Sequence, residues 1–227
     1  MNTLVRHIKR FPQYIKNGLL PQKILQFLGC IGLVIKPYYL VQEGLTDNEE
    51  FDSGKEFKDF EFFELKQEDM KKLDHYDGRS TTASTFQKRI EEGHLCFALK
   101  SENTIAAFCW CNPKYIQHNK AFSRPLNNRE AYLYDAQTLY SFRGQNLAPY
   151  LRYKCYKALK SMGRDVLFSH SDYFNRPSIR FKQKLNARFL AIGFDVEIAG
   201  LFTKSWVIKR MNNVKIADSN HYQKIDQ

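Results

Sequence analysis

Apolar residues along this chain recur with two spacings, one that of helices and one that of strands. Leu4, Ile8, Phe11 and Ile15 fall at helical spacing, with Arg6, Lys9, Arg10 and Lys16 between them. That predicts a short basic amphipathic helix over 3–16, cut by Pro12. Ile24 to Ile35 is a short apolar segment that contains Gly29 and Gly32. Residues 43–55 are polar and acidic, carry two glycines and read as a linker.

From Glu56 the pattern becomes a mixed one. Phe57, Phe60, Phe62, Phe63 and Leu65 suggest a strand, and Gln67 to Leu73 a short helix. Phe86 and Ile90 sit four apart in Ser80–Glu92, a helix stopped by Gly93. His94–Leu99 and Thr104–Cys111 are apolar strands joined by Lys100-Ser101-Glu102-Asn103, a hairpin signal. Glu130–Leu139 alternates with period two. A polar loop over 140–146 then leads into a long helix from Ala148 to Met162, ended by Gly163. Asp165–Ser169 is a short strand and Asn175–Leu185 a basic helix. Phe189–Ile192, Asp195–Ile198 and Leu201–Ile208 read as closing antiparallel strands, and 212–227 as a polar tail. The chain thus divides into a basic helical arm (1–42), an acidic linker (43–55), an α/β domain (56–211) and the tail.

Charge follows the same division. The 227 residues hold 35 Lys+Arg against 24 Asp+Glu, a net charge of +11. Residues 1–42 have six bases and no acid, 43–74 twelve acids and five bases, and 140–227 sixteen bases and six acids. Hydrophobic residues at 43% and charged residues at 26% describe a globular chain. No apolar run reaches the roughly 18 to 20 residues that span a bilayer. The basic excess points to anionic partners: nucleic acid, a membrane surface or a phosphorylated ligand. The five cysteines fit neither a disulfide framework nor a zinc site, and imply a reducing cytosol. Phe27-Leu28-Gly29-Cys30 imitates a lipoprotein cleavage box, but Pro21, Gln22, Lys23 and Gln26 break the apolar stretch that such a signal needs.

The segment that carries chemistry is the strand, basic glycine loop and helix at 130–162. A helix N-terminus offers unpaired backbone N–H groups and the positive end of a dipole, which bind phosphate. Arg143 adds a full charge, and Gly144 lets the backbone approach a ligand. The glycines and lysine of a Walker loop are absent, as is a dinucleotide-binding GxGxxG. An ordinary strand-to-helix turn shares this local pattern, so the loop alone does not decide. Histidines 94 and 170 lie near the cleft expected beside the loop, and a lone histidine is more often structural than catalytic. No His/Asp/Glu cluster has metal-ligand spacing, and no arrangement signals covalent catalysis.

The order of elements from Glu56 resembles that of the GNAT superfamily of N-acetyltransferases. Their acetyl-CoA signature runs Gln or Arg, two residues, Gly, one residue, Gly or Ala, after the fourth strand. Here it reads Arg143-Gly144-Gln145-Asn146-Leu147-Ala148, with Asn146 where a glycine is usual. Asn is the non-glycine residue that best tolerates left-handed geometry. Asn175, Ser178, Lys184 and Leu185 match a second family stretch, in which Asn186 replaces a glycine. Arg89–Phe97 and Glu130–Arg143 look like a branch associated with bacterial polysaccharide and amino-sugar modification.

The resemblance implies a GNAT-type α/β fold. Its mixed, mostly antiparallel sheet would have six to seven strands, with helices on both faces and a splay between the fourth and fifth strands. It implies acetyl-CoA as co-substrate, no metal, and direct acetyl transfer to a primary amine of an amino sugar or other small molecule. Pantetheine would pair near Gln137, Thr138 and Leu139, the pyrophosphate would sit on Arg143 to Ala148, and Asn175 with Ser178 would face the pantetheine arm. Many members place a tyrosine proton donor seven residues after the Asn; here that residue is Lys182. Tyr134 and then Tyr173 are the substitute donors. Strand parity puts Tyr132, Tyr134, Ala136 and Thr138 on one face and Leu133, Asp135 and Gln137 on the other, which makes Asp135 a candidate base or a structural carboxylate.

Two other readings stay open. One is a degenerate scaffold that binds nucleic acid or an anionic membrane, for which Asn146 and Lys182 speak. The other is a protein or peptide N-acetyltransferase. The bases of 140–227 fall where the phosphates of acetyl-CoA would lie, so they give little independent reason to expect nucleic acid. The arm 1–42 has four readings: docked on the domain, a cover over the acceptor site, a homodimer contact, or a peripheral membrane contact of a cytoplasmic protein.

Overall fold

The structure is a computed structural model and describes residues 20–44, 57–66, 68–69, 83–119 and 122–210. The helices expected over 3–16 and in the undescribed part of 67–73, most of the linker and the tail from 212 lie outside those residues. The described elements are α1 (Leu20–Cys30), β1 (Leu33–Glu43), β2 (Glu61–Leu65), α2 (Ala83–Glu91), β3 (Leu95–Ser101), β4 (Thr104–Asn112), β5 (Tyr115–Asn119), β6 (Phe122–Pro125), β7 (Glu130–Thr138), α3 (Leu147–Ser161), β8 (Val166–Asp172), α4 (Arg176–Lys184), β9 (Arg188–Ile198) and β10 (Phe202–Arg210).

Eight strands form one sheet in the order β10-β9-β1-β8-β7-β4-β3-β2. All neighbours run antiparallel except β7 and β8. The strand beyond the expected six to seven is β1. The sequence reading placed Leu33–Glu43 in an arm and the start of a linker, whereas the structure sets it between β8 and β9. Its charge and its distance from Glu56 disguised it, but Tyr38, Leu40, Val41 and Glu43 are buried. The hairpin β5-β6, over residues to which the sequence assigned no element, forms a second sheet.

Helices cover both faces. β4 is buried from Ile105 to Asn112, and a strand buried on both faces reads as a continuous apolar run rather than an alternating one. On one face α3 lays Leu147, Leu151, Cys155 and Leu159, spaced four apart, against Phe97, Leu99, Cys109, Cys111 and Leu133. On the other, Phe86 of α2 stacks on Trp110 at 5.6 Å.

Candidate functional site

The parallel pairing of β7 and β8 runs from Glu130↔Val166 to Leu133↔Ser169 and stops there. Beyond Leu133, β7 keeps β4 on one side and, among the described residues, has no strand on the other. The gap opens into a cleft of about 1140 Å³. Its walls are the outer half of β7, the end of β8, the loop before α3 and the start of α4.

The splay coincides with a bulge. The register of β4 against β7 passes from Phe108↔Gln137 to Trp110↔Tyr134, so two β7 residues answer to one on β4. Asp135 there takes φ 47°. This corrects the parity expected from the sequence, which put Tyr134 and Asp135 on opposite faces. Arg89 of α2 lies over the rings of Trp110 and Tyr134, at 5.1 and 5.2 Å, and also pairs with Asp135 at 2.7 Å.

The loop before α3 has the geometry that anion binding requires. Gly144 takes φ 80°, and an added Cβ there would meet nothing within 4 Å. Asn146, in the place of a family glycine, is left-handed at φ 61°, ψ 23° and caps α3 without a side-chain hydrogen bond. Asn186, the other such replacement, takes φ 53°. Among the described residues, the backbone N–H groups of Gly144 to Ala148 find no hydrogen-bond partner, and the first turn of α3 holds no acid. Opposite, the Asn175 side chain accepts from the Ser178 N–H at 3.2 Å and starts α4. Gln137, Thr138, Arg143, Gly144, Asn146, Leu147, Ala148, Asn175 and Ser178 all line the cleft, and the Gln137 Oε1 is buried without a hydrogen-bond partner. Leu139 and Gln145 are not among the lining residues, and the Leu139 N–H is taken by the Ala106 carbonyl at 2.8 Å. One end of the cleft thus presents unpaired backbone N–H groups beside Arg143, a setting that suits an anion.

The three residues expected to carry protons are placed differently from one another. Tyr134 lines the cleft, with its hydroxyl 2.6 Å from His94 Nδ1. Burial raises its phenol well above the usual range, only partly offset by Arg89. Asp135 also lines the cleft, in its ion pair with Arg89. Tyr173 is 40% exposed, stacks on Tyr39 at 5.1 Å and is not among the lining residues.

Sequence reasoning missed the charged floor of the cleft. Glu43 at the end of β1, Arg152 of α3 and Lys182 of α4 are all buried. Glu43 Oε1 lies 3.2 Å from Lys182 Nζ and Oε2 3.2 Å from Arg152 Nε, and the Tyr156 hydroxyl donates to Oε2 at 2.5 Å. Lys182 also donates to the Ser169 hydroxyl at 2.5 Å and the His170 carbonyl at 3.1 Å. Burial alone would raise the Glu43 carboxyl, but Arg152, Lys182 and the Ser169 and Tyr156 hydroxyls outweigh it and hold it at about 2. Burial lowers the Lys182 ammonium to about 8, against the pull of Glu43. One carboxylate thus serves two cations and leaves a surplus positive charge. Arg152 and Lys182 line the cleft, and Arg152 Nη1 has no hydrogen-bond partner among the described residues. The signal was present in the basic residues at helical spacing on two predicted helices. The acid that binds them lay in a segment read as linker.

No family model matches the chain, and no curated protein matches it. Solved structures do. A putative acetyltransferase from the GNAT family from Novosphingobium aromaticivorans superposes with a TM-score of 0.52 at 17% identity, over 72% of this chain and 65% of that one. A GNAT-family acetyltransferase from Colwellia psychrerythraea gives 0.52 at 12% identity, over 73% and 57%. A tandem GNAT protein from the clavulanic acid biosynthesis pathway gives 0.50 at 13% identity, over 80% and 56%. This chain therefore spans less than two thirds of each. At these identities the likeness is one of fold, and the mixed, mostly antiparallel sheet with helices on both faces is the GNAT fold.

Proposed function

We propose that this chain is an N-acetyltransferase that moves an acetyl group from acetyl-CoA directly to a primary amine, of an amino sugar or another small molecule. The observation that carries the reading is the end of the β7–β8 pairing at Leu133 and Ser169, with the unpaired N–H groups of Gly144 to Ala148 beside the gap. Neighbours of the same fold named as acetyltransferases support it.

In this reading Gly144 to Ala148 and Arg143 hold the pyrophosphate, and the open edge of β7 at Gln137 and Thr138 pairs with the pantetheine, flanked by Asn175 and Ser178. Acetyl-CoA supplies an acetyl group activated as a thioester. The residues of the chain position it against the amine and place charge where charge develops. Lys182 donates to the Ser169 hydroxyl and the His170 carbonyl and faces Glu43 as an ion pair at 3.2 Å, so it acts as a fixed charge rather than a proton donor. With Arg152 it gives the cleft floor a positive potential that favours a departing thiolate. In this reading Tyr134, a protonated phenol that lines the cleft at the bulge, returns a proton to the sulfur.

Calorimetric titration with acetyl-CoA, followed by a CoA-release assay over amino-sugar nucleotides, polyamines, amino acids and peptides, tests the proposal. Saturable binding, lost in Arg143→Glu, is expected. Unchanged affinity in that variant overturns the placement of the pyrophosphate, and binding without CoA release from any amine overturns the reaction.

A further inference from the structure

One side-chain cluster of the cleft lies outside the residues assigned above to acetyl-CoA. His118 of β5 puts Nε2 3.0 Å from Asp195 Oδ2 of β9, while the Ser205 hydroxyl donates to Asp195 Oδ1 at 2.6 Å. The His118 ring stacks on His170 of β8, with centroids 4.1 Å apart and planes 17° apart, and leans on Tyr38 of β1 at 4.5 Å. Both histidines line the cleft, as do Tyr132 and Tyr134 on the same side of β7.

The partners assign the tautomer. A carboxylate only accepts, so the His118 nitrogen that faces Asp195 carries the proton, and in a neutral ring the other nitrogen is then basic. Asp195 faces Nε2, and among the described residues no hydrogen bond to the other nitrogen, Nδ1, is found. Burial, with His118 and Lys182 nearby, pushes His170 well below the usual histidine range, so the ring under His118 is an uncharged platform. Asp135, a carboxylate of the cleft wall, is already paired with Arg89 at 2.7 Å.

We propose that His118 is the general base of the reaction, taking a proton from the ammonium group of the acceptor, and that Asp195 is its positioning residue. The inference rests on the acetyl-transfer reading. The acceptor R–NH3+ gives one proton to His118 Nδ1, which frees the nitrogen lone pair. The C–N bond forms as the thioester C–S bond breaks. A second proton of that nitrogen ends on the CoA sulfur, and His118 returns its own to solvent. The acceptor that suits the site is a small polar primary amine, since the base stands between aromatic rings rather than in an acidic groove.

The test uses the full chain and an amine that the wild type acetylates. In His118→Ala, CoA release falls by about 10²- to 10⁴-fold, the range for loss of a general base, while the acetyl-CoA Kd stays at the wild-type value. Added imidazole restores part of the rate. Asp195→Asn lowers kcat less and gains nothing from imidazole. If His118→Ala does not fold, His118→Gln keeps the bulk of the ring position without a basic nitrogen and carries the rate and Kd comparison, without the imidazole arm. Wild-type turnover in the His118 variant overturns the inference, as does a loss that imidazole cannot restore. A wild type that does not bind acetyl-CoA instead overturns the acetyl-transfer reading and takes this inference with it.

Discussion

Glu43 and Lys182 meet at 3.2 Å with side chains 0% and 1% exposed, one from the end of β1 and the other from the helix that flanks the cleft. The pair joins the inserted strand to the site. Breaking a buried ion pair from one side leaves an uncompensated charge, and here it would leave two cations together. Glu43→Gln is expected to cost about 3–5 kcal/mol of stability, read from urea unfolding. The Glu43 carboxyl sits at about 2, below its ordinary value, so its contribution is complete above the unfolded-state pKa and is lost as pH falls towards 2. The difference in stability between wild type and Glu43→Gln should shrink over that window.

Lys182→Met makes the opposite case. It leaves Glu43 and Arg152 as a balanced pair, and replacement of one buried charge where two compete for a partner should leave stability unchanged or raise it. Because the Lys182 ammonium is lowered to about 8, the unfolded chain binds more protons than the folded one between there and the ordinary lysine value. Wild-type stability therefore gains from this group as pH rises through that interval. Unfolding midpoints at pH 7 and pH 9.5 should converge with those of Lys182→Met at the higher pH. CoA release should fall in the variant at pH 7, and the difference should narrow at pH 9.5, where the wild-type lysine has lost its charge.

The strands β2, β3, β4, β7 and β8 and the loop before α3 were legible because each depends on local signals: alternation, apolar runs, a glycine stop and an asparagine at a left-handed turn; β9 was read as two strands broken at Gly193, where the structure has one from Arg188 to Ile198. β1 was not. Its place between β8 and β9 is fixed by pairing with residues far along the chain, and its acidic end looked like linker until Arg152 and Lys182 appeared beside it. The same distance hid the contact of His118 with Asp195. The bulge at Asp135 could not be counted from alternation, because one inserted residue reverses every side chain after it.

Asn146 supports the left-handed turn at some cost, since only glycine enters that region freely. Asn146→Gly is expected to leave the melting temperature within a few degrees and to bind acetyl-CoA at least as tightly as wild type. Asn146→Val, which adds a β-branched side chain at φ 61°, should cost about 1–2 kcal/mol and weaken binding. Thermal melts and calorimetric titration of both variants check this.

Gly193 tests the packing behind His118. A Cβ there would lie 2.6 Å from Tyr38 Cζ and Oη and 2.7 Å from the Trp206 carbonyl oxygen. The oxygen belongs to the backbone of β10 and cannot give way without moving the strand that carries Ser205. Gly193→Ala is therefore expected to lose about 1–3 kcal/mol, as overpacked cores do. It should also disturb the His118 ring through Tyr38, which rests on it at 4.5 Å. Urea unfolding gives the first effect, and a histidine proton shift in the NMR spectrum the second.

Removal of residues 1–42 as a dispensable arm should fail. The cut would delete an interior strand, strip β8 and β9 of their partner along its length and unpair backbone groups on both. Buried Tyr38, Leu40 and Val41 would go with it. The truncated chain is expected to be insoluble or to lack a cooperative melt, whatever the arm does for membranes. The membrane reading of this segment is better tested on α1 and the turn after it, where Ile24, Phe27 and Ile31 are 51%, 63% and 68% exposed. Phe27→Ser with Ile31→Ser removes apolar surface without touching the sheet, so it should keep the wild-type melting temperature. If α1 touches the bilayer, that double variant will float with anionic vesicles less than wild type does. Equal flotation would exclude these side chains from the contact.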